Sequence, residues 1–183
     1  MVTGRLWDVL IVGAGPAGCT AALFAALGGQ RVLLTEKCAV GGGMLHAPEI
    51  RDWPGEPDPI DGIALGERMR KQVLAAGALL RYGEITGVTL PTDSAPIPVL
   101  LSSAPAPDGT RHHTLLYTRH LILATGSAPL PPGIPPDSIR PDSDSRTTLP
   151  RIYATGACRN PGYSRIVTSC ADGCRAAREI LGR

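Results

Sequence analysis

The feature that most constrains the fold of this chain is a glycine-rich turn between two apolar segments. Asp8–Val12 is apolar after its first residue, and Gly13-Ala14-Gly15-Pro16-Ala17-Gly18 follows it directly. A buried strand that ends here can pass into a helix, because Gly13 permits a tight turn and Pro16 suits the first helical turn. The sequence therefore predicts a strand, a turn and a helix in this order, as in a Rossmann-like α/β domain with a parallel sheet.

The spacing of the glycines also predicts a ligand. Gly15 allows the backbone to approach a pyrophosphate, and Gly18 allows the helix to pack closely on the strand. The helix N-terminus offers free N–H groups and a positive dipole end to phosphates. A second apolar run, Arg31–Thr35, ends at Glu36, where a carboxylate can accept hydrogen bonds from a ribose diol. The order of these features predicts a dinucleotide site, and the alternative is an ordinary parallel βαβ unit.

Further along the chain, the pattern predicts two more helices and a small β-meander. Helical periodicity covers residues 62–77 and 166–181. The predicted buried face of the first of these helices carries Ile63, Met69, Val73 and Leu74. Between residues 83 and 119, short β-rich runs separated by Pro and Asp-Gly turns predict an antiparallel insert. These runs are Ile85–Leu90, Val99–Ser103 and Thr114–Tyr117.

Two apolar runs that end in Ala-Thr-Gly complete the predicted parallel sheet. His120–Leu123 leads into Ala124-Thr125-Gly126, and Arg151–Tyr153 leads into a second Ala-Thr-Gly. The stretch between them, Ser127–Thr148, is rich in Pro, Asp and Ser and predicts a surface connection. We expect one domain over residues 1–183.

Composition excludes several classes of function. The net charge is +2, which indicates neither a nucleic-acid footprint nor a membrane-surface patch. No apolar run reaches the ~18 residues of a spanning helix, so we expect a cytoplasmic protein without nucleic-acid or membrane partners. The five cysteines indicate reduced thiols, and the histidines show no spacing typical of a metal site.

Several separate motifs together resemble the FAD domain of thioredoxin reductases and related pyridine nucleotide-disulphide oxidoreductases. They are the turn Gly13–Gly18, Glu36, Gly41-Gly42 with Trp53-Pro54-Gly55 after it, the strand end Leu123–Gly126 and the segment Ile152–Gly156. The motifs occur in family order, and the resemblance covers nearly the whole chain, from Asp8 to Leu181. It implies a FAD-binding oxidoreductase.

The resemblance also implies a set of cofactor-binding residues. In that family the glycine turn and the acid hold the ADP half of FAD, the following loop lines the isoalloxazine, and the last helix points its N-terminus at the pyrimidine side. Carried over to this chain, the expected FAD-binding residues are Gly13, Gly15, Pro16, Ala17, Gly18, Glu36, Lys37, Gly42, Gly43, Met44, Asp52, Ala124, Thr125, Gly126, Gly156, Arg165, Ile166 and Val167. Backbone N–H groups at Arg165–Val167 would stabilise the negative charge of a reduced flavin.

The sequence departs from the family pattern at two places. Family members insert an NADPH domain with a Cys-x-x-Cys pair after the Ala-Thr-Gly strand, whereas Ser127–Thr148 stands here, without a second glycine fingerprint or a Cys-x-x-Cys. The final strand usually ends in Gly-Asp, whereas this chain has Gly156-Ala157. Loss of a charged-group hydrogen bond costs about 1.5–3 kcal/mol, so we expect weakened FAD binding. Thioredoxin reduction by the usual route is not expected.

Two residues are candidates for catalysis. Cys158 follows the final strand and would be a redox thiol near the cofactor, or else a small packing residue. His46 lies in the loop expected to face the ring and would donate a proton to reduced flavin, or else be an exposed loop histidine. Cys170 and Cys174 share a helix face and are expected to be buried packing residues, or else to have a redox role in which one of them acts with Cys158.

Three functions stay open at the level of sequence. The first is a flavoprotein oxidoreductase that receives electrons from a separate electron-transfer protein, or from a small-molecule reductant such as free NAD(P)H. Its acceptor would be a disulfide or another small molecule. The second is a non-catalytic nucleotide-binding module, and the third is an NAD site, because the glycine fingerprint does not discriminate between FAD and NAD. A homodimer is one assembly that the resemblance leaves open.

Overall fold

The computed structural model describes residues 5–92, 94–139 and 145–182, which form one sheet of seven strands with three α-helices. The strands are β1 (Leu6–Val12), β2 (Val32–Glu36), β3 (Leu79–Tyr82), β4 (Glu84–Val88), β5 (Ile97–Ser102), β6 (His113–Leu123) and β7 (Ile152–Ala154). The α-helices are α1 (Pro16–Leu27), α2 (Gly62–Ala75) and α3 (Ile166–Leu181). Within these ranges, no helix has the length and apolar character needed to cross a bilayer.

The strand order is β3-β2-β1-β6-β5-β4, and β7 pairs with the end of β6. Pairing is parallel among β3, β2, β1, β6 and β7, and antiparallel among β4, β5 and β6. The predicted α/β, Rossmann-like fold with a small antiparallel meander is thus confirmed.

Strand β6 belongs to both parts of the sheet, which corrects the sequence prediction of two separate runs. Its first half, His113–Thr118, pairs with β5, and its last residues, Leu121–Leu123, pair with β7. On its other side β6 pairs with β1 from Tyr117 to Leu123, so one continuous partner strand spans the junction. The alternation of buried and less buried side chains therefore does not continue along the whole of β6. At its end, Leu121–Leu123 are all buried.

Strand β3 was not predicted. Three of its four residues are exposed, so the segment carries little of the apolar signal that marks a strand. It pairs with β2 at the edge of the sheet, and the parallel ladder from Leu33 to Glu36 specifies it.

The sheet is covered on both faces, which explains the continuous apolar runs in its central strands. On one face, Val9 and Ile11 pack with α1, α2 and α3, and on the other, Leu10 and Leu121 pack with the meander. Helix α1 is rich in alanine, so α3 lies very close to it. A Cβ on Gly173 would be 2.1 Å from the Ala17 carbonyl oxygen.

Helix α2 buries only part of the expected face, because Met69 and Val73 are buried as predicted whereas Leu74 is 37% exposed. Leu65, Met69 and Val73 are buried, whereas Ile63 is 67% exposed. Two glycines define the contacting face, because a Cβ on Gly62 or Gly66 would lie within 2.7 Å of loop carbonyl oxygens. The sequence prediction counted apolar residues alone and so missed that glycines belong to this face.

Candidate functional site

A cavity of about 1010 Å³ opens at the carboxyl ends of the parallel strands, where α/β sheets bind their ligands. Its volume is at the upper end of the range for small-molecule sites. Most of the expected FAD-binding residues lie in its wall, namely Gly13, Gly15, Pro16, Ala17, Glu36, Lys37, Gly42, Gly43, Met44, Asp52, Ala124, Thr125, Gly126, Arg165 and Ile166.

Three expected residues, Gly18, Gly156 and Val167, lie outside this wall. A Cβ on Gly18 would be 1.8 Å from the Gly13 carbonyl oxygen, so Gly18 supports the turn from behind. Gly156 has φ +70°, and a Cβ there would be 2.9 Å from the Cβ of Ala17. The Val167 side chain is 46% exposed. Two of the three therefore hold the wall in place.

The glycine turn forms a cradle at the N-terminus of α1. Gly13 has φ +100°, and a Cβ on it would be 2.4 Å from the Ala124 carbonyl oxygen. Gly15 has an ordinary φ of −74°, and no protein atom comes closer than 3.8 Å to a Cβ built on it. No side chain caps the helix. The protein itself therefore tolerates a side chain at Gly15, and its absence widens the cavity beside a helix N-terminus.

The Glu36 carboxylate is fixed at the rim of the cradle. Its Oε2 accepts a hydrogen bond of 2.7 Å from the Ala14 N–H, and its Oε1 accepts one of 3.0 Å from the Cys38 N–H. Each carboxylate oxygen has a second acceptor site, so ribose hydroxyls can still bind here. Beside it, the Lys37 ammonium and Glu84 carboxylate form an exposed ion pair of 2.8 Å.

The loop after β2 covers the other end of the cavity. Gly42–His46 forms a 3₁₀ helix whose Met44 is buried, and close contact with the start of α2 holds it in place. Ile50 and Ile60 exchange two backbone hydrogen bonds of 2.7 and 3.1 Å, which close the segment that carries Asp52. The Asp52 carboxylate lies 3.8 Å from the Arg165 guanidinium at the N-terminus of α3.

The start of the proline-rich stretch is part of the site, which corrects the prediction of a surface connection. Ser127–Pro132 lies in the cavity wall. The Val88 N–H donates to the Pro132 carbonyl oxygen at 2.8 Å, which anchors this segment on the meander. One signal was available, since this segment directly follows Gly126 at the carboxyl end of a parallel strand. Residues 140–144 of the predicted connection lie outside the described residues.

Neither residue predicted for catalysis lies in the cavity wall. His46 is exposed at the end of its 3₁₀ helix. The Cys158 thiol donates to the carbonyl oxygens of Leu123 at 3.2 Å and Thr155 at 3.3 Å. Burial raises the pKa of Cys158, which lowers the thiolate fraction that a redox thiol needs. Its packing role is the better supported of the two alternatives.

The remaining cysteines are also outside the wall. Cys19 is buried, and its burial raises the pKa of the thiol to about 12. Burial likewise raises the pKa of Cys170, while Cys38 is exposed. Across the described part of the chain, no group of His, Cys, Asp and Glu side chains could hold a metal ion.

Two polar wall residues that sequence reasoning did not name as binding residues lie near Ala157, one directly after β7 and one in the first turn of α3. Thr155, Ala157 and Ser169 all line the cavity there. Thr155 belongs to the second Ala-Thr-Gly, and Ser169 lies one turn into α3, so their placement follows from strand and helix packing. Ala157 contributes only a methyl group at this point of the wall.

Comparisons of the sequence with known proteins find similar proteins. A family profile described as pyridine nucleotide-disulphide oxidoreductase matches residues 7–137. The thioredoxin reductase of Treponema pallidum is 36% identical over 132 residues, which are 72% of this chain and 39% of that protein. The thioredoxin reductase of Mycolicibacterium smegmatis is 34% identical over 128 residues, 70% of this chain and 37% of that one. The chain thus spans well under half the length of these curated relatives.

The fold also matches solved structures. A thioredoxin reductase from Gloeobacter violaceus superposes with a TM-score of 0.78 and 19% identity, over 96% of this chain and 94% of that chain.

Proposed function

Because this chain belongs to the pyridine nucleotide-disulphide oxidoreductase family, we propose that its cavity binds FAD and that the protein is a flavin-dependent oxidoreductase. The observation that carries the proposal is the open cradle at Gly15, which lies between a helix N-terminus and the fixed Glu36 carboxylate. The helix N-terminus offers N–H groups to a pyrophosphate, and the Glu36 carboxylate accepts hydrogen bonds from a ribose diol. The relatives' shared chemistry favours FAD over NAD as the dinucleotide.

The residues around the cradle give each part of the ADP half a partner. The N–H groups at the start of α1 would bind the pyrophosphate, and the helix dipole favours its negative charge. Glu36 would accept hydrogen bonds from the ribose hydroxyls. The Lys37–Glu84 ion pair holds the ends of β2 and β4 together next to the ribose.

The other half of the cavity is suited to a flat ring. Met44 and Ile50 on one side and Pro129–Pro132 on the other would exclude water from it. Bound FAD would supply two-electron redox chemistry at this place. The uncapped N-terminus of α3, at Arg165 and Ile166, would stabilise negative charge on the pyrimidine side.

We propose that neither the electron donor nor the electron acceptor is formed by the described residues. A separate electron-transfer protein or free NAD(P)H would donate, and a disulfide or another small molecule would accept. No cysteine in the described ranges lines the cavity, so a disulfide acceptor would come from outside these residues. The curated relatives, which are thioredoxin reductases, support a disulfide as the acceptor class.

The visible spectrum of the purified protein tests this function. After incubation with FAD and removal of free cofactor, we expect the absorption of bound oxidised flavin. Anaerobic addition of NADPH, NADH or a reduced ferredoxin should bleach it, with dithionite as the chemical control for complete reduction. Colourless protein would refute FAD binding. Bound flavin that dithionite bleaches but no biological donor reduces would favour the non-catalytic module instead.

A further inference from the structure

A second cavity of about 290 Å³ lies between α1, α2 and the loop after β2. Its apolar wall consists of Leu65, Met69 and Val73 of α2, which are buried, and of Leu23 and Trp53, which are half-buried. Among the described residues, none lines both this cavity and the larger one. The second cavity is therefore separate from the proposed FAD site.

Polar side chains lie at the edge of the second cavity. Arg68 and Gln72 belong to its wall and are exposed about one turn apart on α2. The Arg68 guanidinium donates to the carboxylate of Glu56, a third polar wall residue, whose side chain is only 19% exposed. An apolar wall with a few polar groups is the composition of a small-molecule site.

The volume of the second cavity limits the size of its ligand. An apolar cavity of about 150 Å³ holds one benzene molecule. A volume of about 290 Å³ therefore accommodates two fused rings with a small substituent. It is too small for a dinucleotide.

The side chains of the wall favour an aromatic ligand over an aliphatic one. Trp53 offers an indole ring for stacked or edge-to-face contact. Met69 and Cys170 bring sulfur atoms, which interact favourably with ring edges. Arg68 adds a guanidinium that can lie over a ring face. A hydroxyl group on such a ring can form a hydrogen bond with the Gln72 amide.

Neighbouring residues connect the two cavities. Asp52 lines the larger cavity, and Trp53 directly after it lines the second one. The Cys170 thiol of the second cavity donates to the carbonyl oxygen of Pro16, which lines the larger cavity, at 3.7 Å. A ligand that shifts Trp53 or Cys170 therefore also acts on the wall of the larger cavity.

From these observations we propose that the second cavity is a binding site for a planar aromatic small molecule of two fused rings that carries a hydroxyl group. The site goes beyond the proposed function, because its ligand binds with or without FAD. Through Trp53 and Cys170, its occupancy changes the affinity of the larger cavity for FAD.

Isothermal titration calorimetry of the ligand-free protein with 2-naphthol tests the site. Decahydro-2-naphthol, which has the same carbon skeleton without the planar rings, is the control ligand. Gln72→Trp places an indole at the exposed edge of the cavity and should block it. Lys71→Trp is the matched control variant, because the Lys71 side chain is 72% exposed on the same helix and lies outside the wall.

We expect saturable binding of one 2-naphthol per chain with a Kd below about 1 mM. Binding should be at least about tenfold weaker in Gln72→Trp and unchanged in Lys71→Trp, with unfolding measurements to show that both variants keep the fold. Decahydro-2-naphthol should bind at least about threefold more weakly, because it lacks the aromatic contacts. No saturable binding of 2-naphthol, or equal binding to wild type and Gln72→Trp, would overturn the site. Equal affinity for the two ligands would overturn the assignment of an aromatic ligand.

Titration with FAD in the absence and presence of saturating 2-naphthol tests the connection between the cavities. We expect the FAD Kd of wild type to change about fivefold or more, and that of Gln72→Trp to stay the same. Unchanged FAD affinity in wild type would overturn the connection. Protein that binds 2-naphthol and not FAD would refute the proposed function and support the second site.

Discussion

At the scale of single residues, the glycines of the turn after β1 serve two separable purposes. Gly18 is required by the protein, because its α-hydrogen faces the Gly13 carbonyl oxygen where a methyl group would overlap it. Gly15 has an ordinary backbone conformation, and a Cβ on it would make only ordinary van der Waals contact with Gly42 at 3.8 Å, so the fold does not require a glycine there and a ligand that approaches the backbone would. One sequence motif therefore contains one residue for folding and one for binding.

Substituting these two glycines should separate stability from binding. Gly18→Ala is expected to lower the free energy of unfolding by about 1–3 kcal/mol, as overpacking does. Gly15→Ala should change it by less than about 0.5 kcal/mol, since the nearest atoms to the added methyl group are the Gly42 Cα at 3.8 Å and the Gly41 carbonyl oxygen at 3.9 Å, which are ordinary contacts. Urea unfolding of the ligand-free proteins measures both. Equal stability losses would contradict the assignment.

Position 157 offers a gain-of-binding experiment. Ala157 lies in the cavity wall, at the position where the family resemblance implies a carboxylate, and a carboxylate there would accept hydrogen bonds from ligand hydroxyls. Ala157→Asp is therefore expected to tighten FAD binding by up to about two decades, with ADP affinity unchanged. Titration with the two ligands gives the comparison, in which Ala157→Asn controls for the size of the side chain. Unchanged FAD affinity would show that bound FAD does not reach this part of the wall.

At the scale of elements, the sequence predicted what local interactions determine. The start of α1 and the whole of α3 were predicted closely, because glycines, proline and helical periodicity mark them. Strand β3 and the continuity of β6 were not predicted, because their partner strands specify them. The same division holds for the site: the wall around Gly13 and Glu36 follows from a motif, whereas Ser127–Pro132 and Ser169 reach it through tertiary packing.

The junction of β1 and β2 predicts a dependence of stability on pH. Arg31 donates from Nε and Nη2 to the Asp8 carboxylate at 2.9 and 3.0 Å, and this hydrogen bonding lowers the pKa of Asp8 from 3.8 to about 2. Because the pKa of Asp8 is lower in the folded than in the unfolded state, its charged form stabilises the fold at pH values above the unfolded-state pKa. This contribution is lost as the pH falls from about 4 to about 2. Asp8→Asn should cost about 1–2 kcal/mol at neutral pH, a range that allows for solvent screening at half-exposed Arg31.

Unfolding free energies of wild type and Asp8→Asn at pH values from neutral to about 2 measure this effect. The difference between the two proteins should shrink as the solution is acidified. A difference that stays constant with pH would show that Asp8 acts without its charge.

The turn from β7 into α3 depends on a second, more buried ion pair. Asp172 accepts from the Arg159 guanidinium at 2.7 Å and from the Gly156 N–H at 3.3 Å, and the Arg159 side chain is only 6% exposed. Asp172→Ala leaves that guanidinium without its carboxylate, so we expect a loss of about 3 kcal/mol in unfolding free energy. Glu67→Ala, which breaks the exposed pair with Arg70 on α2, is the control and should change little. Equal effects would contradict a structural role for the buried pair.

At the scale of the whole molecule, the sheet order arranges the binding groups in a line. The acid after β2, the glycine turn after β1 and the hydroxyls near β7 lie along one edge of the parallel sheet. Residues of the meander, the proline-rich segment and the loop after β2 complete the wall around this line. Because these groups share one edge of the sheet, one extended ligand can contact all of them.

Equilibrium titration of the ligand-free protein with FAD tests the central claim most directly, with Gly15→Ala as the paired variant. We predict saturable binding of one FAD per chain that ADP displaces, and much weaker binding in Gly15→Ala, whose fold is intact. Absence of saturable FAD binding, or equal affinity in the two proteins, would contradict a FAD site in this cavity.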